Sequence, residues 1–316
     1  MNTLPDRAAL VKAAHDSIAR GSKSFRAASR LFGRETRERA WLLYAWCRRC
    51  DDIADGQDHG HGMRPVADPI GRLSEMQRLT DMALAGEITG EPAFDALGVV
   101  VRECGIPHAL PRDLLRGFAL DADGFAPRHA DDLYLYCYHV AGVVGVMMAM
   151  VMGVPASDHD TLDRACDLGI AFQLANIARD ISEDDAAGRC YLPDDWLTEF
   201  DIPPGEAMRP HWRGRLALIA KRLAERAAAH EAAARGGVSA LGLRDAWAVL
   251  SAGHIYGGIV REVAARGEQA WDARVFTTRP QKLRWAARAL VEAAGRAKFP
   301  RTDRTGLWTR PALTGN

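Results

Sequence analysis

The sequence predicts an all-α protein, and three observations favour that class. Stretches rich in Ala, Leu and Arg run through the chain with few β-branched runs, and these residue types favour helix. Hydrophobic residues make up 48% of the 316 residues, enough for a large core. No Pro- or Gly-rich linker divides the chain, so we expect one domain over 1–316, with a basic C-terminal tail from about 299 to 316.

The helices are predicted in chain order from this composition and from the breaks between apolar segments. The second predicted helix contains Trp41, Leu42 and Trp46, and it ends in a group of acidic residues. A Gly- and His-rich loop at 56–69 follows it as a flexible flap. We predict helices over residues 5–30, 36–55, 70–86, 92–104, 107–121, 131–153, 158–186, 207–232, 242–266 and 280–297.

The helix predicted over 131–153 has two interpretations. No Asp, Glu, Lys or Arg lies between Asp132 and Asp158, so length and hydropathy would allow a membrane span. However, several tyrosines place polar hydroxyl groups at one end of this segment, and the rest of the chain contains no second segment of this kind. Both observations argue against a membrane span. We favour a central core helix. Gly142, Gly145 and the Met residues would leave space in it for a long apolar ligand, and a core helix without a ligand explains the pattern equally well.

Charge and cysteine content narrow the function classes. The 41 Lys and Arg balance the 41 Asp and Glu, which argues against a nucleic-acid partner. Six cysteines lie mostly within predicted helices and no apolar signal segment opens the chain, so we expect free thiols and a cytoplasmic location. Cys47 and Cys50 match Cys-x-x-Cys without the context of a zinc or thioredoxin site, which favours two small residues on a buried helix.

The first acid cluster lies at the end of the second predicted helix. Tyr44, Arg48, Asp51 and Asp55 are spaced by four, three and four residues, so they form one stripe along a helix. Such a stripe is often only a solvated face. Its hard carboxylate oxygens also suit Mg²⁺, which prefers one or two carboxylates together with water and phosphate oxygens. From this cluster alone both interpretations stay open.

The second acid cluster is harder to explain as a solvated face. Asn176, Asp180 and Asp184 follow one another at a spacing of four on a helix otherwise filled with Leu, Ile and Phe. Polar groups amid so much apolar bulk are costly unless they bind a ligand or a partner. Arg179 beside them and Arg189 after an acidic turn offer guanidinium groups suited to diphosphate oxygens.

Together the two clusters predict diphosphate chemistry. Two acid rows on separate helices, facing across a helical bundle, would hold Mg²⁺ against a diphosphate and make it a good leaving group. If that group leaves an allylic carbon, the resulting carbocation needs a dry, apolar and aromatic cavity. These requirements fit an enzyme that acts on prenyl diphosphates.

At these residues the chain resembles the squalene/phytoene synthase family, most closely its bacterial phytoene synthase members. The resemblance extends over nearly the whole chain. The segments that carry it are residues 21–25, 44–55, 136–145, 173–184, 189–193, 255–259, 266–267 and Trp271.

The resemblance implies a single-domain helical bundle of the isoprenoid synthase type with a central active-site cavity. It also implies a Mg²⁺-dependent, head-to-head condensation of two geranylgeranyl diphosphates, through prephytoene diphosphate, to phytoene. This is a prenyltransferase step of carotenoid biosynthesis, of the 15-cis-phytoene synthase type. Mn²⁺ could replace Mg²⁺, and no NAD(P)H is expected. Contact with a downstream desaturase and peripheral contact with the inner face of the membrane are further expectations.

Carried over by position, the resemblance also assigns roles to residues. Tyr136 and the helix at 140–151 resemble the prenyl-tail cavity, and Gly21 stands where many relatives have His, which leaves backbone contacts there. The metal ligands implied are Asp51, Asp55, Asn176, Asp180 and Asp184. The catalytic residues implied are Tyr44, Arg48, Asp51, Asp55, Asp180 and Asp184. The substrate-binding residues implied are Gly21, Ser22, Lys23, Ser24, Tyr44, Arg48, Tyr136, Gln173, Arg179, Arg189 and Tyr256.

Several alternatives stay open. A dehydrosqualene or presqualene diphosphate synthase would use the shorter farnesyl diphosphate, and cavity volume decides that choice. A squalene synthase would need hydride from NADPH. A non-catalytic lipid-binding or assembly protein of the same fold would be expected to have lost its acids, yet both rows are complete. A chain-elongating prenyltransferase would normally repeat Asp-Asp-x-x-Asp, which the second cluster does not.

The stretch from Arg274 to Arg310 is strongly basic and interleaved with Trp and Leu. This pattern suits attachment to an anionic membrane surface. A solvated basic helix, packed through its apolar face, explains the pattern equally well.

Overall fold

The computed structural model describes residues 6–21, 26, 28–56 and 68–312, and these residues form helices and connecting loops with no β-strand among them. The all-α prediction is therefore confirmed. The helices are α1 (Arg7–Gly21), α2 (Arg34–Asp55), α3 (Pro69–Leu84), α4 (Pro92–Cys104), α5 (Ala109–Ala122), α6 (Ala130–Cys137), α7 (Val143–Val151), α8 (His159–Ala186), α9 (Asp194–Glu199), α10 (Arg213–Arg235), α11 (Leu243–Arg266) and α12 (Arg279–Ala294).

Most helix bounds lie close to the predicted ones, and the differences have local causes. Of the N-terminal helix predicted over 5–30, the structure describes α1 as Arg7–Gly21, and residues 26, 28 and 29 are also helical. Helix α9 was not predicted, because six residues are too few to show a helical period. Helix α10 begins at Arg213, later than predicted, because Pro210 opens a short 3₁₀ turn before it. The predicted flap lies almost wholly outside the described residues.

The chain forms two compact units. The first comprises Met1–Ala122, Met147–Asp158 and Ala312–Asn316, and the second comprises Asp123–Val146 and His159–Pro311. The prediction of one domain over 1–316 stays a prediction.

In the first unit, α2 packs against α1, α3 and α4. Leu42, Leu43 and Trp46 of α2 are fully buried and form the centre of that core. At one end of the helix, Arg7 bonds to Glu38 at 2.8 Å and also to Glu103 of α4. These two carboxylates therefore tie α1 to α2 and α4, and the bond from Arg7 lowers the pKa of each of them.

In the second unit, α8 packs against α10, α11 and the π-helical turn Tyr138–Gly142. The glycines of this region allow close contact between helices. A Cβ at Gly145 would lie 2.3 Å from the carbonyl oxygen of Ala165, and one at Gly142 would lie 2.9 Å from the sulfur of Cys166. The prediction that Gly142 and Gly145 leave space for a ligand is wrong, because α8 fills that space.

The segment Ala130–Val151, which includes α6 and α7, is long and apolar enough to cross a membrane, and 67% of its most apolar window is buried within the protein. This burial is typical of a core helix and favours that interpretation. The six cysteines are all free, as predicted.

The basic C-terminal segment is paired with acids of α8. Arg304 bonds to both carboxylate oxygens of Asp167, at 2.7 and 3.1 Å, and Asp167 also accepts from His230 at 2.9 Å. Arg310 lies 2.7 Å from Asp163 and is buried. Much of the positive charge predicted for a free tail is therefore neutralised inside the second unit, along the first half of α8.

Candidate active site

The first candidate site lies on α2, in the first unit. Leu43, Ala45 and Trp46 are buried, while Tyr44, Arg48, Asp51 and Asp55 are all partly exposed. The predicted stripe therefore exists as one half-buried face of α2. We call Asp51 and Asp55 the α2 acid row. Gly56 ends the helix directly after it, in the left-handed conformation that favours glycine (φ 62°), and donates its N–H to the carbonyl of Asp52.

Negative charge is concentrated around Asp51. Its side chain keeps 45% of its surface accessible, and Arg48 lies 3.8 Å away. Partial loss of hydration raises the pKa of Asp51 to about 7; Arg48 lowers it, and Asp55 and Asp52 raise it further. A cation placed here would relieve the mutual repulsion of these carboxylates.

Arg48 is placed to bind an anion. Its guanidinium lies 6.0 Å from the centre of the Tyr44 ring, and its Nε is buried without a hydrogen-bond partner among the described residues. A buried donor left unsatisfied is costly, and at a functional site it indicates a ligand. A phosphate oxygen would satisfy this donor.

The second candidate site lies on α8, in the second unit. Leu174, Ile177 and Ala178 are buried on one side of the helix. On the other side, Asn176, Asp180 and Asp184 are partly exposed, and we call them the α8 acid row. The amide of Asn176 lies 3.4 Å from the side-chain oxygen of Gln173 on the same face, a weak hydrogen bond. The predicted polar face of this helix is therefore present.

Two arginines hold Asp180. Arg179 donates to it through Nε at 2.6 Å and through a second, shorter bond, and Arg274 lies 2.8 Å away. Arg274 also lies 3.7 Å from Glu183. Its role was not predicted, although Trp271, three residues earlier, carries part of the resemblance. The indole N–H of Trp271 donates to the carbonyl of Ala178 at 3.0 Å, which anchors the loop containing Arg274 to α8.

Aromatic side chains lie near the α8 acid row and elsewhere in the second unit. Tyr256 of α11 stacks on Phe172 of α8 with ring centres 4.1 Å apart. Tyr136 is buried and stacks on both Phe125 and Tyr191, at 5.1 and 4.8 Å. Tyr256 and Phe172 are partly exposed, and an aromatic face of this kind suits a carbocation, whereas Tyr136 is buried between its two partners.

The structure gives less information on the remaining predicted site residues. Gly21 is the last residue of α1, while Ser22, Lys23 and Ser24 lie outside the described residues. Arg189 is exposed just past α8, where its backbone N–H donates to the carbonyl of Asp184 at 2.8 Å. The predicted prenyl-tail cavity stays a prediction. One cleft that the structure does contain, of about 560 Å³, lies among α10, α11 and α12 and includes none of the predicted site residues.

The side chains fit a divalent cation that is shared with a substrate. Within the described ranges, no group of three or more His, Cys, Asp or Glu side chains could enclose an ion alone. Mg²⁺ is usually held by one or two carboxylates, with water and phosphate oxygens completing its shell. The α2 acid row supplies two carboxylates, and the α8 acid row supplies two more with an amide oxygen.

Comparison with known proteins gives a consistent result. The family model described as squalene/phytoene synthase matches residues 18–286. A 15-cis-phytoene synthase of Pantoea ananas is 45% identical over 96% of this chain and 98% of its own length. One of Enterobacter agglomerans is 44% identical over 92% of this chain and 99% of its own. A crystal structure of a dehydrosqualene synthase, 26% identical, superposes with a TM-score of 0.80 over 92% of this chain and 98% of that one.

The chain belongs to the squalene/phytoene synthase family. The fold and the acid rows agree with that assignment, and the family generally depends on a divalent metal. Its activity is of the phytoene synthase type, a prenyltransferase reaction on an isoprenyl diphosphate in carotenoid biosynthesis.

Proposed function

We propose that this chain condenses two geranylgeranyl diphosphates head to head, through prephytoene diphosphate, to phytoene, with Mg²⁺ as its metal. The observation that carries the proposal is that both acid rows are complete and half-buried in a chain 45% identical, over nearly its full length, to a 15-cis-phytoene synthase. The substrate is the donor that phytoene, a C40 hydrocarbon, requires.

The two acid rows have the donor atoms that this metal needs. The residues that would hold metal ions are Asp51 and Asp55 in the α2 acid row, and Asn176, Asp180 and Asp184 in the α8 acid row. A bound divalent cation supplies electrophilic stabilisation of the departing diphosphate.

The arginines and aromatic rings have separate tasks. Arg48 binds a diphosphate oxygen through its unsatisfied Nε. Arg179 and Arg274 hold Asp180 in the free protein and turn toward diphosphate oxygens when substrate binds, since a guanidinium fork matches phosphate as well as carboxylate. Tyr256, which is partly exposed, stabilises positive charge on the prenyl chain, and the buried stack around Tyr136 helps to keep water away.

A second candidate product is favoured by one observation. The dehydrosqualene synthase structure superposes with a TM-score of 0.80, so the same fold also serves the shorter farnesyl donor. The two donors differ in length and not in the chemistry of the reacting end. The acid rows therefore fit both.

Product analysis tests the proposal. The purified protein is incubated with Mg²⁺ and either geranylgeranyl or farnesyl diphosphate, without nicotinamide, and the extracted hydrocarbons are identified by chromatography and mass. We expect phytoene from the longer donor. A C30 product from the shorter donor alone would reassign the chain to dehydrosqualene synthesis, and turnover of neither would favour a non-catalytic binding protein. Replacing Mg²⁺ by Mn²⁺ in the same assay identifies the preferred metal.

For location, we propose a cytoplasmic enzyme in peripheral contact with the inner face of the membrane, in reach of a downstream desaturase. The free thiols of all six cysteines support a reducing compartment. A product as apolar as phytoene has to leave into a bilayer, which supports the membrane contact. Cell fractionation tests this: we expect the protein in the membrane fraction at low salt and its release at high salt.

A further inference from the structure

Helix α12 carries an apolar row on its solvent side. Leu283, Ala287 and Val291 follow at a spacing of four, so they lie along one line of the helix. Leu283 is 72% exposed and Val291 is 75% exposed. The opposite side of the helix, at Ala289 and Ala293, is fully buried. Helix α12 thus packs inward through Ala289, Ala293 and the Trp285 ring, and turns Leu283 and Val291 to solvent.

Exposed apolar side chains are concentrated at this place. Among the described residues, eight large apolar side chains are strongly exposed, and four of them lie between 276 and 291. Single exposed apolar residues are normal, whereas a contiguous group indicates an interaction site. We define the α12 surface by its exposed apolar members Phe276, Leu283, Ala287, Leu290, Val291 and Ala294.

The α12 surface is bordered by positive charge. Residues 275–298 contain six Lys or Arg and one acid, Glu292, although the whole chain is neutral. Glu292 faces inward and is held by Arg235, His254 and Arg288 at 2.8 to 3.0 Å. Arg284 makes no ion pair within the described part of the chain and is exposed. The border therefore presents uncompensated guanidinium charge to solvent.

Arg284 and Arg288 also line the cleft of about 560 Å³ among α10, α11 and α12. The Trp285 ring lies against Gly258, where a Cβ would come within 2.3 Å of it. Arg261, another cleft residue, is already paired with Glu231 at 3.2 Å. Arg235 and Arg288 are paired with Glu292, so among the arginines of this cleft Arg284 is the one without an ion pair in the described part of the chain.

We propose that the α12 surface docks on a bilayer that contains anionic phospholipid. Its apolar row enters the boundary between headgroups and acyl chains, and Arg284 and Arg288 bind lipid phosphates. The headgroup region of a bilayer can accommodate a single row of apolar side chains on one helix, because no complementary groove is needed there. A symmetric pair of chains meeting here would instead bring two sets of arginines together, at an electrostatic cost. The inference extends the peripheral location proposed above by naming the surface and its ligand.

Vesicle flotation tests the proposal on the full chain. The wild type is mixed with vesicles of phosphatidylcholine, with or without phosphatidylglycerol, and we expect binding chiefly to the anionic vesicles. The double variant Leu283→Glu/Val291→Glu should bind at least roughly tenfold more weakly, because burial of two such side chains contributes to insertion. The double variant Arg284→Gln/Arg288→Gln should lose the preference for phosphatidylglycerol and the dependence on salt.

A matched control uses exposed apolar residues elsewhere. Ile70→Glu/Leu218→Glu makes the same change in charge at comparably exposed positions of α3 and α10, and it should bind as the wild type does. Equal loss in both double variants would overturn the proposal, because it would reflect net charge alone. A wild-type dimer in sedimentation that the α12 variants abolish, with no vesicle binding, would assign the surface to a second copy instead.

A turnover assay in detergent separates this inference from the proposed function. All α12 variants should make phytoene there at the wild-type rate, because none of the changed residues belongs to the acid rows. Phytoene formation without vesicle binding overturns the docking surface and leaves the function standing. Vesicle binding without any hydrocarbon product overturns the function and leaves the surface standing.

Discussion

The acid rows on α2 and α8 have the same spacing but different electrostatic states. Around Asp51, loss of hydration raises the pKa to about 7, and the two neighbouring carboxyls Asp55 and Asp52 oppose the lowering effect of Arg48 at 3.8 Å. On α8, Asp180 is held by Arg179 and by Arg274 at 2.8 Å. The α2 row is therefore prepared for a cation, whereas the α8 row already carries the arginines that a diphosphate needs. A shared motif spacing does not imply a shared state of charge.

The two rows also differ in how they are supported. The α2 row lies at the end of its helix, where Arg72 of α3 donates to the carbonyl of Ile53 at 2.9 Å. The α8 row continues a helix whose first half is held by the C-terminal segment through Arg304 and Arg310. Disturbing the C-terminus should therefore affect α8 first.

Removing one carboxylate from either row should give the largest effect. Asp55→Asn and Asp180→Asn should each lower turnover by roughly 10²- to 10³-fold, as expected for the loss of one group that stabilises transition-state charge. The Mg²⁺ concentration for half-maximal rate should rise in both variants, because each loses a carboxylate that would hold the ion. Steady-state kinetics with Mg²⁺ titration measures both effects.

Asp185→Asn is the matched control, because this exposed acid directly follows Asp184 and lies outside the row. It should turn over as the wild type does. Near-normal turnover of Asp55→Asn or Asp180→Asn, with an intact helical circular dichroism spectrum, would refute the metal assignment for that row.

Removing the support of α8 should cost stability. Arg304→Ala leaves the fully buried Asp167 without its guanidinium partner, and breaking a buried pair on one side costs about 3–5 kcal/mol. Arg301→Ala breaks the half-exposed pair with Asp160 and should cost only about 0–1 kcal/mol. Urea unfolding measures both. Equal losses would show that burial of the pair is not the cause.

Removing Arg274 should make the electrostatic state of the α8 acid row more similar to that of the α2 acid row. Arg274→Gln takes away a positive charge 2.8 Å from Asp180, so Mg²⁺ should bind the substrate-free protein about 5- to 10-fold more tightly, from roughly 1 kcal/mol of repulsion removed in a solvated site. Titration calorimetry measures this. Arg222→Gln, at an arginine of α10 paired with Glu199 of α9, is the control and should bind as the wild type does.

The smallest effect concerns pH and the α2 row. The folded pKa of Asp51, about 7, lies above its usual value of 3.8, so its protonated form stabilises the metal-free protein. That contribution is complete below pH 3.8 and is lost as the pH rises through 7. The melting temperature of the metal-free wild type should therefore fall between pH 5 and pH 8 relative to Asp51→Asn. A pH dependence identical in both proteins would contradict the shift.

Proton and metal compete for the same carboxyl. Mg²⁺ affinity should fall by about tenfold for each pH unit below 7, because one proton must leave Asp51 when the ion binds. In Asp51→Asn this dependence should disappear while the remaining affinity is weaker at every pH.

Local patterns in the sequence were sufficient for the helices that carry the acid rows. Helix α2 was predicted to begin at 36 and begins at Arg34, and α8 was predicted over 158–186 and spans His159–Ala186. Tyr44, Arg48 and Asp51 share one face of the helix because of their spacing along the chain, and this spacing can be counted in the sequence. The same holds for Asn176 and Asp180.

Long-range pairing was not accessible to that reasoning. Arg274 lies 94 positions from Asp180, and Arg304 lies 137 positions from Asp167, so neither pair has a local sequence signal. The basic C-terminal stretch was therefore interpreted as one surface. The structure divides it into a segment whose arginines are paired with α8 and a helix, α12, whose arginines border an apolar row. Composition could not separate these two, because burial decides which charges remain free.

The pairing between α8 and the C-terminal segment also has a consequence for how the protein is made. Asp167 is translated 137 residues before Arg304, so at about 5–20 residues per second it waits roughly 7–30 seconds for its partner. During that time the carboxylate has no guanidinium beside it. Burying Asp167 in the core would then carry the desolvation penalty of an unpaired charge. A chain released before Arg304 is made would keep this carboxylate without its guanidinium partner. The helices around Asp167 would then pack less stably, and proteases would cleave the fragment faster than the finished protein.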